Sequence, residues 1–213
     1  MLTGCYDNKE TDSLAVVIAV GIDEAGEEKE YTFAVADNSG FSGKSEGDSA
    51  GLVCISQEAK NIDSAIKKLD RKLSKNLSLS HTSAIIFSED SARNNMYDDI
   101  DYFESKVYVR PQVMIGVCQK TASDYLKSLK PRLETNPEKY FRNIFDKKDS
   151  HIPTLRIIDF TNAYHKDRET TAPYIKVKGK ETLTETQSYI SGTAVIKDGK
   201  CVEINKLKGN TKK

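Results

Sequence analysis

The chain has 213 residues, 38% of them apolar and 30% charged, a balance that supports one large water-facing domain whose core needs no disulfide or metal staples. Lysine plus arginine equals aspartate plus glutamate at 32 each, so the summed charge exerts no long-range pull on nucleic acid or an anionic membrane. No stretch approaches the ~18 consecutive apolar residues of a membrane span, and any membrane attachment is therefore expected through a covalent group or a partner.

The first residues, Leu2-Thr3-Gly4-Cys5, fit the pattern at which bacteria attach a diacylglyceryl group to a cysteine thiol. A complete export signal also carries a basic start and about 7–15 apolar residues ahead of the cleavage site. Only four residues precede Cys5, so on this stretch alone it reads as an ordinary N-terminal thiol. "SLAVVIAVGID" (13–23) is a continuous β-branched run and "KEYTFAVAD" (29–37) alternates more, with the Gly-containing "DEAGEE" between them as a hairpin connection. The Gly-, Ser- and Asp-dense 38–51 reads as a surface loop. It contains Gly43-Lys44-Ser45, but a phosphate-binding loop needs glycine five positions earlier, where Asn38 stands, and a helix directly behind.

"LVCIS" (52–56) reads as a buried strand. "NIDSAIKKLDRKLSKNL" then places Ile62, Ala65, Ile66, Leu69 and Leu73 on one helical face. "HTSAIIFSED" (81–90) supplies another buried strand, with Ser88 placed to cap a short helix. A second helical stretch over "MYDDIDYFESK" turns Ile100 and Phe103 inward. After Arg110-Pro111, which favours extended backbone, "QVMIGVCQ" (112–119) gives the next strand. Strand, helix, strand, helix, strand in succession predicts a mixed α/β layer arrangement.

Thr121 and Asp124 form a capping-box pattern for a helix that Pro131 stops. Asn136-Pro137 offers an N-cap and a first-turn proline for a helix with Tyr140, Phe141, Ile144 and Phe145 on its apolar side. "TLRIIDFTNAYH" is a further helix. "APYIKVKG" (172–179) and "SYISGTAVIKDGKCVEI" (188–204), turning at Asp198-Gly199, return the chain to strands. There is no internal repeat and no heptad.

Cys54, Cys118 and Cys201 lie in apolar runs, where a free thiol behaves as a small hydrophobe. None of the four cysteines forms a Cys-x-x-Cys, and His81, His151 and His165 are scattered without ligand spacing, so neither a metal nor a cofactor is expected. The chain has no Gly-x-Ser-x-Gly elbow and no cysteine-protease signature, and His81 reads as a structural histidine. Asp98-Asp99-Asp101 and Glu27-Glu28 lack the Ca²⁺-loop spacing and read as a solvated helix face and turn. The closing "KLKGNTKK" reads as a frayed, solvated end. From the residues, the expected fold is a mixed α/β (α+β) domain: a mixed β-sheet flanked by helices, with a β-hairpin at each end and no visible catalytic site.

Three blocks together resemble the spore germination receptor C-subunit family, the Ger(x)C lipoproteins of spore-forming Firmicutes. "GCYDNKETDSLAVVIAVGID" (4–23) is similar to the family's Gly-Cys-Trp-Asp opening, charged stretch and strand ending in Gly-Ile-Asp. "LSLSHTSAIIFSEDSARN" (77–94), extended by 101–126, resembles its His-containing strand, Ala-Arg-containing helix and Arg-bearing segment. "GTAVIKDGKCVEI" (192–204) resembles the hairpin closing its N-terminal domain.

The resemblance implies that Cys5 is the lipidated first residue of a mature lipoprotein, with Tyr6 standing where the family has Trp. It implies residues 1–12 as a lipobox remnant and tether, 13–205 as the Ger(x)C N-terminal domain, and 206–213 as a flexible basic tail. The absent hydrophobic signal region and the end at Lys213 are expected of a piece of a longer protein, with a naturally short family member as the alternative. The implied function is non-enzymatic: the C subunit of a nutrient germinant receptor, assembling with membrane-embedded A and B subunits at the inner spore membrane. A lipid-anchored solute-binding module is the alternative, and a concave site with convergent polar groups is what it requires.

Overall fold

The computed structural model describes residues 13–36, 52–105, 109–129, 136–145, 153–177 and 188–207. The 38–51 loop with Gly43-Lys44-Ser45, Pro131, His151, Cys5 and Tyr6 lie outside the described residues. β1 (Leu14–Ala25) and β2 (Glu28–Ala36) pair antiparallel with Ala25 opposite Glu28, so Gly26 and Glu27 form the two-residue loop. Gly26 has φ 67°, the conformation that a type II′ hairpin asks of its first central residue and that glycine adopts without penalty. β3 (Leu52–Ala59) extends the pairing beyond β2.

α1 (Ile62–Asp70) starts at Asn61, whose side-chain oxygen accepts from Ser64 N at 2.9 Å. The apolar period continues past it to Leu73, yet the helix stops at Asp70. That carboxylate accepts from Leu77 N at 3.0 Å and bends the chain into β4 (Asn76–Ser78), which lies parallel to the start of β1. The expected helix is therefore shorter than its periodicity, and its tail is a strand.

β5 (Ala84–Ser88) pairs parallel with β1, and β6 (Met114–Cys118) parallel with β5. Between them lie α2 (Glu89–Asn94), capped by Ser88, and α3 (Tyr97–Ser105). Thr121 caps α4 (Ala122–Ser128), its hydroxyl accepting from Asp124 N, and Asn136 accepts from Glu138 N at the start of α5 (Pro137–Phe145). The segment expected as one helix over "TLRIIDFTNAYH" begins with the two-residue strand β7 (Leu155–Arg156), antiparallel to β6, and only then becomes α6 (Ile157–His165). β8 (Thr170–Val177) runs parallel to β6, and β9 (Ser188–Lys197) with β10 (Lys200–Lys206) completes the sheet. Asp198 (φ 50°) and Gly199 (φ 72°) make the two positive φ values of a type I′ turn. Lys206, assigned from sequence to the tail, is the last residue of β10.

The sheet order is β10-β9-β8-β6-β5-β1-β2-β3, a parallel centre with antiparallel wings. Both faces are covered, so the central strands are apolar throughout. Ile85, Phe87, Ile115 and Val117 join α1, α3 and α6 in one core, while Ala84, Ile86, Met114 and Cys118 join α4 and α5 in the other. β3 departs from its expected burial. It ends the sheet order, Val53 is 48% exposed, and of its residues only Ala59 is buried, because a terminal strand has a neighbour on one side alone.

Candidate functional site

The parallel strands β1, β5 and β6 present clefts at both of their ends. At the C-terminal end, Asp23 lies in the last residues of β1 and its two carboxylate oxygens accept from Ala122 N (2.6 Å) and Ser123 N (2.9 Å) at the start of α4. Asp23 is buried, and desolvation pushes its carboxyl above the ordinary range against the opposing effect of those two N–H groups and the Ser88 hydroxyl. The cleft beside it, about 370 Å³, is acidic with Glu24, Glu89 and Asp124 on its walls. Glu89 is held within the protein, accepting from Arg93 and from the Tyr174 hydroxyl. No group of His, Cys, Asp and Glu fit to hold a metal occurs among the described residues. This end locks α4 to the sheet.

The N-terminal end is different in charge. A cavity of about 440 Å³ opens there, and Arg110, Arg142 and Arg156 line it together with His81 and Glu138. His81, read from sequence as structural, sits at the surface and donates from Nδ1 to Glu138 Oε1 at 2.7 Å. Ser83 Oγ donates to the carbonyl of His81 and not to its ring, so among the described residues lining this cavity no serine is paired with the His81 imidazole.

A third feature was not expected. Asp99, grouped with Asp98 and Asp101 as a solvated helix face, is 5% exposed. Asp98 and Asp101 do face solvent, but Asp99 turns inward from α3 to the β1–β2 hairpin. Its Oδ2 lies 2.5 Å from Lys29 Nζ, and its Oδ1 accepts from the Tyr31 hydroxyl at 2.8 Å. Burial raises the Asp99 carboxyl, with the Lys29 ammonium as the main opposing influence. Burial and the Asp99 charge together push the Tyr31 hydroxyl well above its usual range, so it remains a donor.

The thiols are placed as the sequence leads one to expect. Cys118 and Cys201 are buried and Cys54 is half-buried, all three free. Burial pushes each of these thiols upward in pKa, Cys118 most of all. His165 ends α6 beside the Tyr97–Tyr164 stack, whose ring centroids are 3.7 Å apart. Cys5, the one residue singled out for modification, precedes the first described residue.

Comparison with known proteins agrees with the first two of the ordered blocks. No solved structure matches the chain. Spore germination protein KC of Bacillus subtilis (strain 168) is 28% identical over 138 residues, which is 62% of this chain and 34% of that relative. The chain thus spans about a third of the length of the curated relative it matches. The family model described as the spore germination protein N-terminal domain matches residues 7–177. The hairpin block 192–204 lies beyond the matched residues. The match takes in every parallel strand of the sheet and all six described helices, and on that extent the chain belongs to the spore germination protein N-terminal domain family.

Proposed function

We propose that this chain is the N-terminal domain of the lipid-anchored C subunit of a nutrient germinant receptor, acting without catalysis through assembly with membrane-embedded A and B subunits. The observation that carries the reading is the family match over residues 7–177, directly behind the Leu2-Thr3-Gly4-Cys5 pattern. In this reading residues 1–12 are the tether, the folded domain runs from residue 13 through β10 to Lys206, and the basic tail follows it.

No helix among the described residues is long and apolar enough to cross a membrane. Attachment at the outer face of the inner spore membrane then rests on Cys5. A single acyl chain binds membranes only marginally, so a diacylglyceryl group, with an added palmitoyl chain or the receptor partners, supplies the firm anchor. The three described thiols are poor competitors for the lipid, because burial hides Cys118 and Cys201 and desolvation disfavours the thiolate at all three. Expressed with its native upstream region in a spore former, the chain is expected to carry lipid mass on the Cys5 peptide. Peptide-mapping mass spectrometry checks this. Lipid on Cys54, Cys118 or Cys201, or none anywhere, contradicts the reading.

A lipid-anchored solute-binding module is the second reading. The cavity between His81, Arg142 and Arg156 favours it, and it shares the Cys5 anchor.

A further inference from the structure

We propose that the cavity at the N-terminal end of the parallel strands binds a small oxyanion, a ligand carrying phosphate or paired carboxylate groups, through Arg110, Arg142 and Arg156. This goes beyond the receptor reading and does not depend on it. Three arginines line one space of about 440 Å³ from three separate segments: the turn before β6, helix α5 and strand β7. Among the described residues none of the three forms a salt bridge. Glu138, the acidic residue on the cavity wall, already accepts from His81.

The backbone holding two of these arginines is tied down from several sides. Val113 N donates to Arg110 O at 3.0 Å, closing the turn. Met114 N donates to Ser83 O, and Met114 pairs with Arg156 across β6 and β7. Ile157 N donates to Val113 O. Arg156 stands at the N-cap position of α6 in extended conformation and its side chain makes no capping bond, so helix termination does not explain its presence. The third arginine rides on α5, whose Phe141, Ile144 and Phe145 are packed in the core.

Like charges gathered at one place repel, and solvent and salt only screen that repulsion. A ligand with two or more anionic oxygens converts it into charge-assisted hydrogen bonds, because the planar guanidinium fork matches carboxylate and phosphate geometry. The cavity falls within the range of small-molecule sites, roughly 300–1,000 Å³, and its floor at Val113 and Met114 is apolar and buried. A short ligand body fits there with its charged groups toward the arginines. The concave shape and the zero net charge of the chain disfavour a polymer, which is recognised through a broad basic field.

The test titrates the 213-residue chain with sodium phosphate and with sodium succinate, each against sodium chloride at equal ionic strength, followed by calorimetry and by amide and arginine Nε NMR shifts. A parallel arm sediments the chain with vesicles of phosphatidylglycerol in phosphatidylcholine. Saturable shifts at His81, Arg110, Arg142 and Arg156 are expected, with binding about tenfold weaker in Arg142→Gln, the loss of about one charge-assisted bond. Arg142→Lys, which keeps charge without the fork, is expected between the two. Glu138→Gln is expected to bind several-fold tighter, a gain that no folding defect produces, and near-UV circular dichroism checks the Arg142 variants. Vesicle binding lost in Arg142→Gln identifies a lipid headgroup as the source of the oxyanion; phosphate or succinate binding without sedimentation identifies a soluble one. The proposal is overturned if both salts track chloride and no vesicle binding depends on Arg142, or if a polyglutamate peptide binds where neither salt nor vesicle does.

Discussion

Replacing Asp99 with alanine is expected to lower the unfolding free energy by about 3–5 kcal/mol, the cost of breaking a buried ion pair from one side. That corresponds to a fall in Tm of about 6–20 °C for a domain of this size. The substitution leaves the Lys29 ammonium, whose side chain is 16% exposed, without its carboxylate, and the buried Tyr31 hydroxyl without its acceptor. It also uncouples α3 from the β1–β2 hairpin, which is joined there across 70 residues of sequence. Urea unfolding measures the loss, and a cost below about 1 kcal/mol contradicts the role given to this network. In the double variant Lys29→Met/Asp99→Leu the penalty is expected to be well under the sum of the two single losses, since neither charge is then left alone.

The same pair makes a pH prediction. Burial raises the Asp99 carboxyl in the folded protein and Lys29 opposes that rise. In Lys29→Met the opposition is gone, so the folded-state pKa climbs further above the unfolded value. A raised carboxyl contributes stability that is fully present below the unfolded pKa and is lost as pH rises through the folded one. Lys29→Met is therefore expected to lie close to the wild type near pH 4 and to fall progressively below it toward pH 7. A stability difference that widens toward acid contradicts this.

Gly116→Val is expected to destabilise the fold by about 3 kcal/mol, at the upper end of what overpacking costs. Gly116 is central in β6, and a Cβ placed there meets Phe145 Cε1 at 2.5 Å and Ile175 Cδ1 at 2.8 Å. Both are fully buried, so neither side chain has space to retreat into. Pairing it with Phe145→Leu is expected to recover part of the loss, because that ring is the nearest obstacle. Equal stability of the wild type and Gly116→Val in thermal unfolding contradicts the packing of α5 on β6.

Much of this architecture is legible in the residues because the informative chemistry is local. Asp198-Gly199 takes the two positive φ values of its turn, and Ser88, Thr121 and Asn136 accept from the helix starts they precede. The apolar runs of β5 and β6 announce burial on both faces. What escaped depends on tertiary placement. Periodicity carries α1 on to Leu73, and only the bond from Leu77 N to Asp70 shows why it stops. The first four residues of β3, Leu52 to Ile55, are as apolar as a central strand, and the edge position follows from what pairs beside it. Asp99 left two traces: it stands one turn from Phe103 on α3, and Lys29 shares its strand face with Tyr31, Phe33 and Val35, all core residues. The arginine cavity left none, since its members come from separate segments with no common spacing.

The receptor-subunit reading is tested most directly in spores. The gene with its native upstream region is expressed in a sporulating host, wild type beside Cys5→Ala, and spores are fractionated and scored for nutrient-triggered germination. Membrane retention and germination are both expected in the wild type and both expected to be lost in the variant. A wild-type protein that stays soluble, or germination that proceeds unchanged after the gene is deleted, contradicts it.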